Sequence, residues 1–325
     1  MVVVLIFFYF LPRIVDYDEV WAAITNMTWF EVTTLAVFAV WNQATYVFVE
    51  IAARPGLRFS QGVKITQTST VVSNTLPAGA ALGAGLQTAM YVSYGYKPAD
   101  VAISMALTGL WNTFVKLAMP IVALAALAFT GNSSDGLAAA AIIGLAVLML
   151  ALAILIVALR SEAGATTLGR RLGPLLDRVL GWFRQTPGAD WAATFGSFRR
   201  RTVSLLGRRW LPLTAATLVS HITLYLVLLL TLRHVGISNA EVGWEEALAA
   251  FAFIRLLSAL PITPGGLGVV ELGLTAALTA AGGNEAEVVA AVLVYRALTF
   301  VLPIPMGALA YFMWRGERRT AAPPA

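Results

Sequence analysis

Arg255-Leu-Leu-Ser-Ala-Leu-Pro-Ile-Thr-Pro-Gly-Gly-Leu-Gly-Val-Val-Glu271 decides how this chain folds. Two apolar runs, 246–260 and 267–282, flank its centre. A bilayer core needs about 20 helical residues at ~1.5 Å rise, so neither run crosses it comfortably. Two prolines and three glycines mark the junction. Proline removes a backbone donor and glycine relaxes the backbone, so a broken helix is predicted. Irregular backbone at membrane depth is tolerated only where protein covers it or water reaches it. Arg255 lies six residues before Pro261, and Glu271 five after Gly266. Charges in so apolar a setting face a cavity or each other. The segment 245–282 therefore reads as a re-entrant helical hairpin with a charged lining.

The surroundings are equally apolar. Of 325 residues, 59% are hydrophobic and 12% charged, and mean hydropathy is +0.78. Soluble domains carry roughly 25% charged residues. The chain is read as an all-α polytopic membrane protein with a single membrane domain over 1–325. It has no cysteine, which excludes disulfides, thiolate metal sites and cysteine catalysis. The net charge of +5 matters less than the clustering of arginines in one loop, which is first a topology signal. A nucleic-acid partner would need a basic folded surface, and none is evident. No cofactor or metal set is implied.

Residues 2–12 are apolar but span only ~16 Å as a helix. They lack the basic start and small-residue cleavage site of a signal peptide. We read them as the second half of a first helix whose beginning is missing. Residues 30–51 form a span, with Glu31 and Glu50 near its ends, where both would reach headgroups. Its polar spot at Asn42, Gln43 and Thr45 is read as helix–helix hydrogen bonding. The segment 60–95 repeats the opening pattern, with a break at Leu76-Pro77-Ala78-Gly79. Residues 99–128 span again and carry Asn112 and Lys116; 137–159 is the clearest lipid-facing span. The segment 160–209 is Arg-rich, with Leu172, Leu175, Leu176, Val179, Leu180 and Phe183 at helical spacing. It is read as an amphipathic linker on an anionic leaflet, although an ordinary solvated positive-inside loop explains it nearly as well. In the span 210–232, His221 and Tyr225 lie one turn apart and are read as packing contacts before a site. The last span, 286–314, contains Arg296.

Placing 160–209 in the cytoplasm by the positive-inside rule puts every other basic loop and the C-terminal tail on the same side. About six spanning helices and two re-entrant hairpins result. Each half, 1–159 and 210–325, has the order span, hairpin, span, and the hairpins enter from opposite faces. That is an inverted-topology repeat. Aligning Pro77 on Pro261 sets Gln87 opposite Glu271 and Asn112 opposite Arg296. The second half thus carries charges where the first carries amides.

Leu260-Pro-Ile-Thr-Pro-Gly-Gly-Leu-Gly-Val-Val-Glu271, with Tyr295-Arg296 24 residues later and then Leu302-Pro303, resembles the signature of the lysylphosphatidylglycerol synthase membrane region, also called the flippase-like domain family. Asn74-Thr-Leu-Pro-Ala-Gly-Ala is similar to that family's first hairpin. The resemblance runs from about residue 10 onward. Members with a fused soluble domain make and flip aminoacyl-phosphatidylglycerol, and stand-alone members are implicated in moving lipids or polyprenyl-linked sugars. The sequence given ends eleven residues after Trp314, so no aminoacyl transfer is expected of it. The resemblance implies a flippase of the cell membrane.

A lipid headgroup crossing the bilayer needs a wet groove open sideways to its tails. Half-helix ends supply partial charges there. Arg255 and Arg296 are suited to bidentate bonds with phosphate oxygens, and Glu271 to holding the arginines or taking a proton. By depth, Arg255, Glu271 and Arg296 are expected to converge. The candidate cavity residues are these three with Pro264, Gly265, Gly266 and Gly268, and Asn74, Pro77, Gln87, Asn112 and Lys116 from the first half. The expected substrate is an anionic lipid headgroup or lipid-linked molecule, and a homo-oligomer is compatible with the sequence. The plainer reading of the three charges is a salt-bridge triad that fixes the hairpin. Two other classes compete. A solute or ion transporter, or a non-transporting membrane partner, would lack a lateral groove. An intramembrane enzyme would need paired carboxylates or a nucleophile–base set, and Glu271 is isolated among acids.

Overall fold

Backbone breaks divide the apolar chain into helices whose lengths sort them into spans and hairpin arms. The computed structural model describes residues 22, 25–76, 78–130, 135–182, 190–258 and 263–321, and every regular element among them is helical. The apolar start at 2–12, Pro77 and the 259–262 part of the opening stretch lie outside the described residues.

Helix α1 covers Trp29–Ala53. Thr28 caps it: Glu31 N donates to Thr28 Oγ1 at 3.3 Å, and Thr28 N donates back to Glu31 Oε2 at 2.7 Å, satisfying two donors that a helix start leaves open. Helix α2 (Phe59–Thr75) is rich in hydroxyls and amides. Several of its hydroxyls are met within the helix: Thr66 and Thr75 donate to the carbonyls of Gly62 and Val71 at 2.9 and 2.6 Å. After the break, α3 (Gly79–Ser93) folds back along α2. A Cβ at Gly79 would lie 2.4 Å from the Ser73 carbonyl oxygen, so only glycine allows this approach. Helix α4 is Pro98–Phe129, with Pro98 in its first turn, where a missing N–H costs nothing.

Helix α5 (Asp135–Arg160) exposes Ile142, Ile143, Met149, Leu150 and Ile156, as expected of a lipid-facing span. Helix α6 (Glu162–Trp182) follows, and α7 (Trp191–Val235) runs 45 residues. The expected single linker over 160–209 is corrected here. Its second part is the beginning of α7, continuous with the span, and α6 packs on that part. Trp191 Nε1 donates to Asp177 Oδ1 at 2.8 Å, and Arg200 pairs with Glu162.

The opening stretch does contain a broken helix. Helix α8 (Trp244–Leu257) precedes a 3-10 turn at Pro264–Gly266, and α9 (Val269–Ala280) follows. Gly265, Gly266 and Gly268 all have positive φ, at 60, 70 and 79°, a region side chains disfavour. At 14 and 12 residues, the arms reach ~21 and ~18 Å, short of a hydrocarbon core of ~30 Å.

The expected span 286–314 is interrupted. Helix α10 (Glu285–Arg296) passes through a π turn, Ala297–Val301, into α11 (Pro303–Ala321). Leu302 N donates to Ala297 O, five residues back, at 2.8 Å. Pro303 brings no amide hydrogen, so the regular ladder cannot continue unbroken into it.

Four described stretches are long and apolar enough to cross a membrane: Trp29–Ala53, Pro98–Phe129, Leu206–Val235 and Glu285–Arg318. The bent pair α5–α6, joined at 119°, would make a fifth. α1 packs along α7, α2 against α11, and α8 against α4. Each hairpin therefore leans on a span from the far end of the chain. In lipid, helices gain no hydrophobic drive to associate, so close packing must hold them. Gly307 of α11 provides it, since a Cβ there would meet the Gln67 carbonyl oxygen of α2 at 2.4 Å. The expected hydrogen-bonding role of the α1 polar spot is observed as well. Asn42 Nδ2 donates to Ser220 O at 3.3 Å, and Gln67 Nε2 to Gln43 Oε1 at 3.2 Å.

Candidate functional site

The tips of the two hairpins meet. Gly265, in the turn between α8 and α9, sits beneath Phe300 of the π turn and beside Asn74 at the end of α2. A Cβ on it would lie 2.3 Å from the Phe300 ring and 3.3 Å from Asn74 Oδ1. Around this junction lies a cavity of about 790 Å³, lined by Asn74, Lys116, Arg255, Gly265, Gly266 and Arg296 among others. A second chamber of about 320 Å³ adjoins it and is lined by Glu50, Gln87, Asn112 and His221. Tyr46, Thr70 and Arg255 line both.

Glu271 and Arg296 are locked together. Arg296 Nε donates to Glu271 Oε1 at 2.6 Å, and Arg296 Nη2 to Gly265 O at 3.2 Å. Glu271 Oε2 accepts from Gly268 N at 2.7 Å, so the carboxylate also closes the N-terminal end of α9. Arg296 lies over the Phe300 ring at 4.5 Å. Only about a tenth of either side chain is exposed. The pair fixes the glycine turn to the π turn.

Arg255 does not join them. The expected convergence of three charges is corrected to a pair plus one separate cation, because Glu271 turns toward the start of its own helix and toward Arg296. Among the described residues Arg255 has no salt bridge, and its Nε is buried without a partner. It stands where the two chambers join, sharing the larger with Lys116 and the smaller with His221.

The other sequence-predicted residues divide. Asn74, Gly265, Gly266 and Lys116 line the larger chamber; Gln87 and Asn112 line the smaller. Gly268 serves Glu271 through its amide, and Pro264 opens the 3-10 turn. Pro77 lies outside the described residues. The expected split, with charges in the second half and amides in the first, is also corrected. Lys116 and Glu50 bring first-half charges to the chambers.

Glu50 departs furthest from expectation. It is 8% exposed rather than at headgroup level. Tyr91 Oη donates to its Oε2 at 2.5 Å and Gln87 Nε2 to its Oε1 at 3.0 Å. Its signal was in the sequence: Asn42, Tyr46, Glu50 and Arg54 recur every fourth residue and so share one helix face. His221 is the other omission. It lines the smaller chamber, whereas Tyr225 Oη donates to Trp244 O at 2.6 Å as a packing contact. Among the described residues no group of three or more His, Cys, Asp or Glu side chains could hold a metal ion.

The sequence matches the family model of the lysylphosphatidylglycerol synthase TM region over residues 1–307. The chain belongs to this family. Comparison with curated proteins found no match. The family match takes in both hairpins, the Glu271–Arg296 pair and the π turn, and stops within α11. With its four long apolar helices, this member of the family is an integral membrane protein, and its lineage is consistent with a lipid-related function.

Proposed function

We propose that this protein moves a lipid with an anionic headgroup between the leaflets of the cell membrane, through the cavity between its two hairpins. The observation that carries the reading is Arg255, a cation without a carboxylate partner among the described residues, on the wall of a cavity shared with Lys116. A buried or half-buried charge is costly unless paired or hydrated, and a phosphate would supply the missing partner. The rim supports a lipid over a soluble ion. Leu76, just after α2, lines the cavity yet is 42% exposed, and Leu82 in the first turn of α3 is 51% exposed. An apolar, outward-facing rim suits acyl or polyprenyl chains that stay in the bilayer while the headgroup enters.

In this reading the hairpins are re-entrant and belong to two halves in inverted repeat, entering from opposite faces. The short arms and the reciprocal packing of α2 on α11 and α8 on α4 support it. The Arg-rich helices α6 and early α7 then face the cytoplasm, with the C-terminus. The Glu271–Arg296 pair holds the hairpin tip in place, Arg255 and Lys116 take the phosphate, and no covalent step is required.

The test is reconstitution into liposomes holding fluorescent phosphatidylglycerol, phosphatidylethanolamine or polyprenyl phosphate, with transbilayer movement read by quenching of the outer leaflet. The wild type is expected to speed at least one anionic lipid, and Arg255→Ala with Lys116→Ala to abolish that gain. Wild-type movement no faster than empty liposomes for every lipid would refute the reading.

A further inference from the structure

The smaller chamber is lined by a carboxylate and an imidazole, and the larger one by neither. The larger presents donors, the guanidinium of Arg255 and the ammonium of Lys116. Beyond Arg255 the wall carries hydroxyls and amides together with the carboxylate and imidazole acceptors. His221 is 4% exposed. Its Nδ1 lies 3.0 Å from the Thr217 carbonyl oxygen, which can only accept, so Nδ1 carries the hydrogen of the neutral ring. Nε2 is then an acceptor, and it is buried without a partner. Glu50 offers carboxylate oxygens, each already taking one hydrogen bond, with lone pairs to spare. Asn112 faces the same space.

A bare phosphate carries acceptors and would leave His221 Nε2 and the Glu50 carboxylate unmatched. A primary ammonium supplies donors, but Arg255 lines this chamber, Lys116 lines the adjoining one, and Arg54 lies 3.4 Å over the ring of Tyr91, which bonds Glu50. Three cations against one carboxylate make the chamber hostile to a positive group. Neutral hydroxyls meet both conditions, since each donates one hydrogen bond and adds no charge.

We infer that the smaller chamber is a headgroup-reading subsite that takes a neutral, hydroxyl-bearing substituent, a glycerol or a sugar, while the attached phosphate sits at Arg255 in the larger chamber. His221 is its specificity-determining residue, accepting a hydroxyl hydrogen at Nε2. The inference deepens the lipid-transport reading and rests on it for the position of the phosphate.

The test compares binding and transport in the full chain. In detergent, dihexanoyl phosphatidylglycerol, phosphatidic acid and phosphatidylethanolamine are titrated, and the same headgroups are followed in liposomes. Phosphatidylglycerol is expected to bind about tenfold tighter than either competitor, the value of one good buried hydrogen bond. His221→Leu should bring the ratio to phosphatidic acid near one. His221→Gln, which keeps an acceptor, should retain most of the preference. Thermal unfolding and gel filtration establish that each variant folds, and Asn112→Leu supplies a second probe should His221→Leu fail to fold. Equal binding of phosphatidylglycerol and phosphatidic acid, or preference for the ammonium lipid, overturns the subsite. Selective binding without transport would leave the subsite standing and remove the transport reading instead.

Discussion

Removing Arg296 leaves Glu271 buried with one backbone donor. The side chain of each is about nine-tenths covered. Arg296→Ala deletes the 2.6 Å bond to Glu271 and the 3.2 Å bond to Gly265 O, charge-assisted bonds of ~1.5–3 kcal/mol each. Their sum matches the ~3–5 kcal/mol lost when one partner of a buried ion pair is removed. Contact with the Phe300 ring at 4.5 Å goes too, adding ~0.5–2 kcal/mol. Arg296→Ala and Glu271→Leu should therefore each lower stability by ~3–5 kcal/mol. The double variant Glu271→Leu with Arg296→Met should recover most of that loss, because no unpaired charge stays buried. Thermal and denaturant unfolding in detergent, arranged as a double-mutant cycle, measures the coupling. Strictly additive losses would refute the pairing. Full stability in the double variant, with transport gone, would separate the pair's structural role from a direct one.

Three further outcomes follow from particular contacts. Gly265→Ala forces a side chain to φ 60° and drives its Cβ to 2.3 Å from Phe300, so unfolding measurements should record a loss of ~1–3 kcal/mol; an unchanged midpoint would contradict the packing of the two tips. The chain lacks cysteine, so Ala240→Cys and Thr194→Cys can report topology. An impermeant maleimide should label them from opposite faces of the membrane, and labelling from one face would overturn the assigned orientation. In the α7–α8 connection, Ser238 N donates to Glu241 Oε2 at 2.7 Å, and that bond holds the Glu241 carboxyl below its ordinary value of 4.5. A depressed carboxylate stabilises above its unfolded value and ceases to do so as pH falls through its folded one. Protection of the Ser238 amide, taken relative to its intrinsic exchange rate at each pH, should fall as pH is lowered below 4.5, and Glu241→Gln should remove that pH dependence.

Backbone chemistry was the most legible feature. Proline and glycine act on their own neighbours, so the break before Glu271 was readable, and three of its glycines adopt positive φ. The Glu271–Arg296 contact was half-readable, since depth along two helices placed them level. Depth says nothing of azimuth, and Arg255, level by the same reckoning, points to the chamber junction instead. Glu50 was misplaced for a related reason. Nearness to a helix end suggested water, but Tyr91 and Gln87 of α3 close over it. Such cover comes from another element, and locally only the spacing of Asn42, Tyr46, Glu50 and Arg54 on one helix face pointed to it. The α6–α7 pairing was hidden likewise, because arginine density obscured the contacts of Trp191 with Gly173 and Asp177.

Two arginines on one cavity wall have different surroundings, and that difference separates scaffold from site. Arg296 is bound to a carboxylate that is itself fixed by a helix start, with a backbone carbonyl and an aromatic ring completing its shell. Such a charge has little left to offer a ligand, and releasing it would cost several kcal/mol. Arg255 has no carboxylate among the described residues and borders open volume on two sides. Its charge is tolerable only if water or an anion occupies that volume. A ligand phosphate exchanging with such water gains charge-assisted bonds without breaking an internal pair. The glycine turn then matters through rigidity: with Gly265 held by Arg296 and packed under Phe300, the end of the second hairpin is fixed beside the cavity that Arg255 faces.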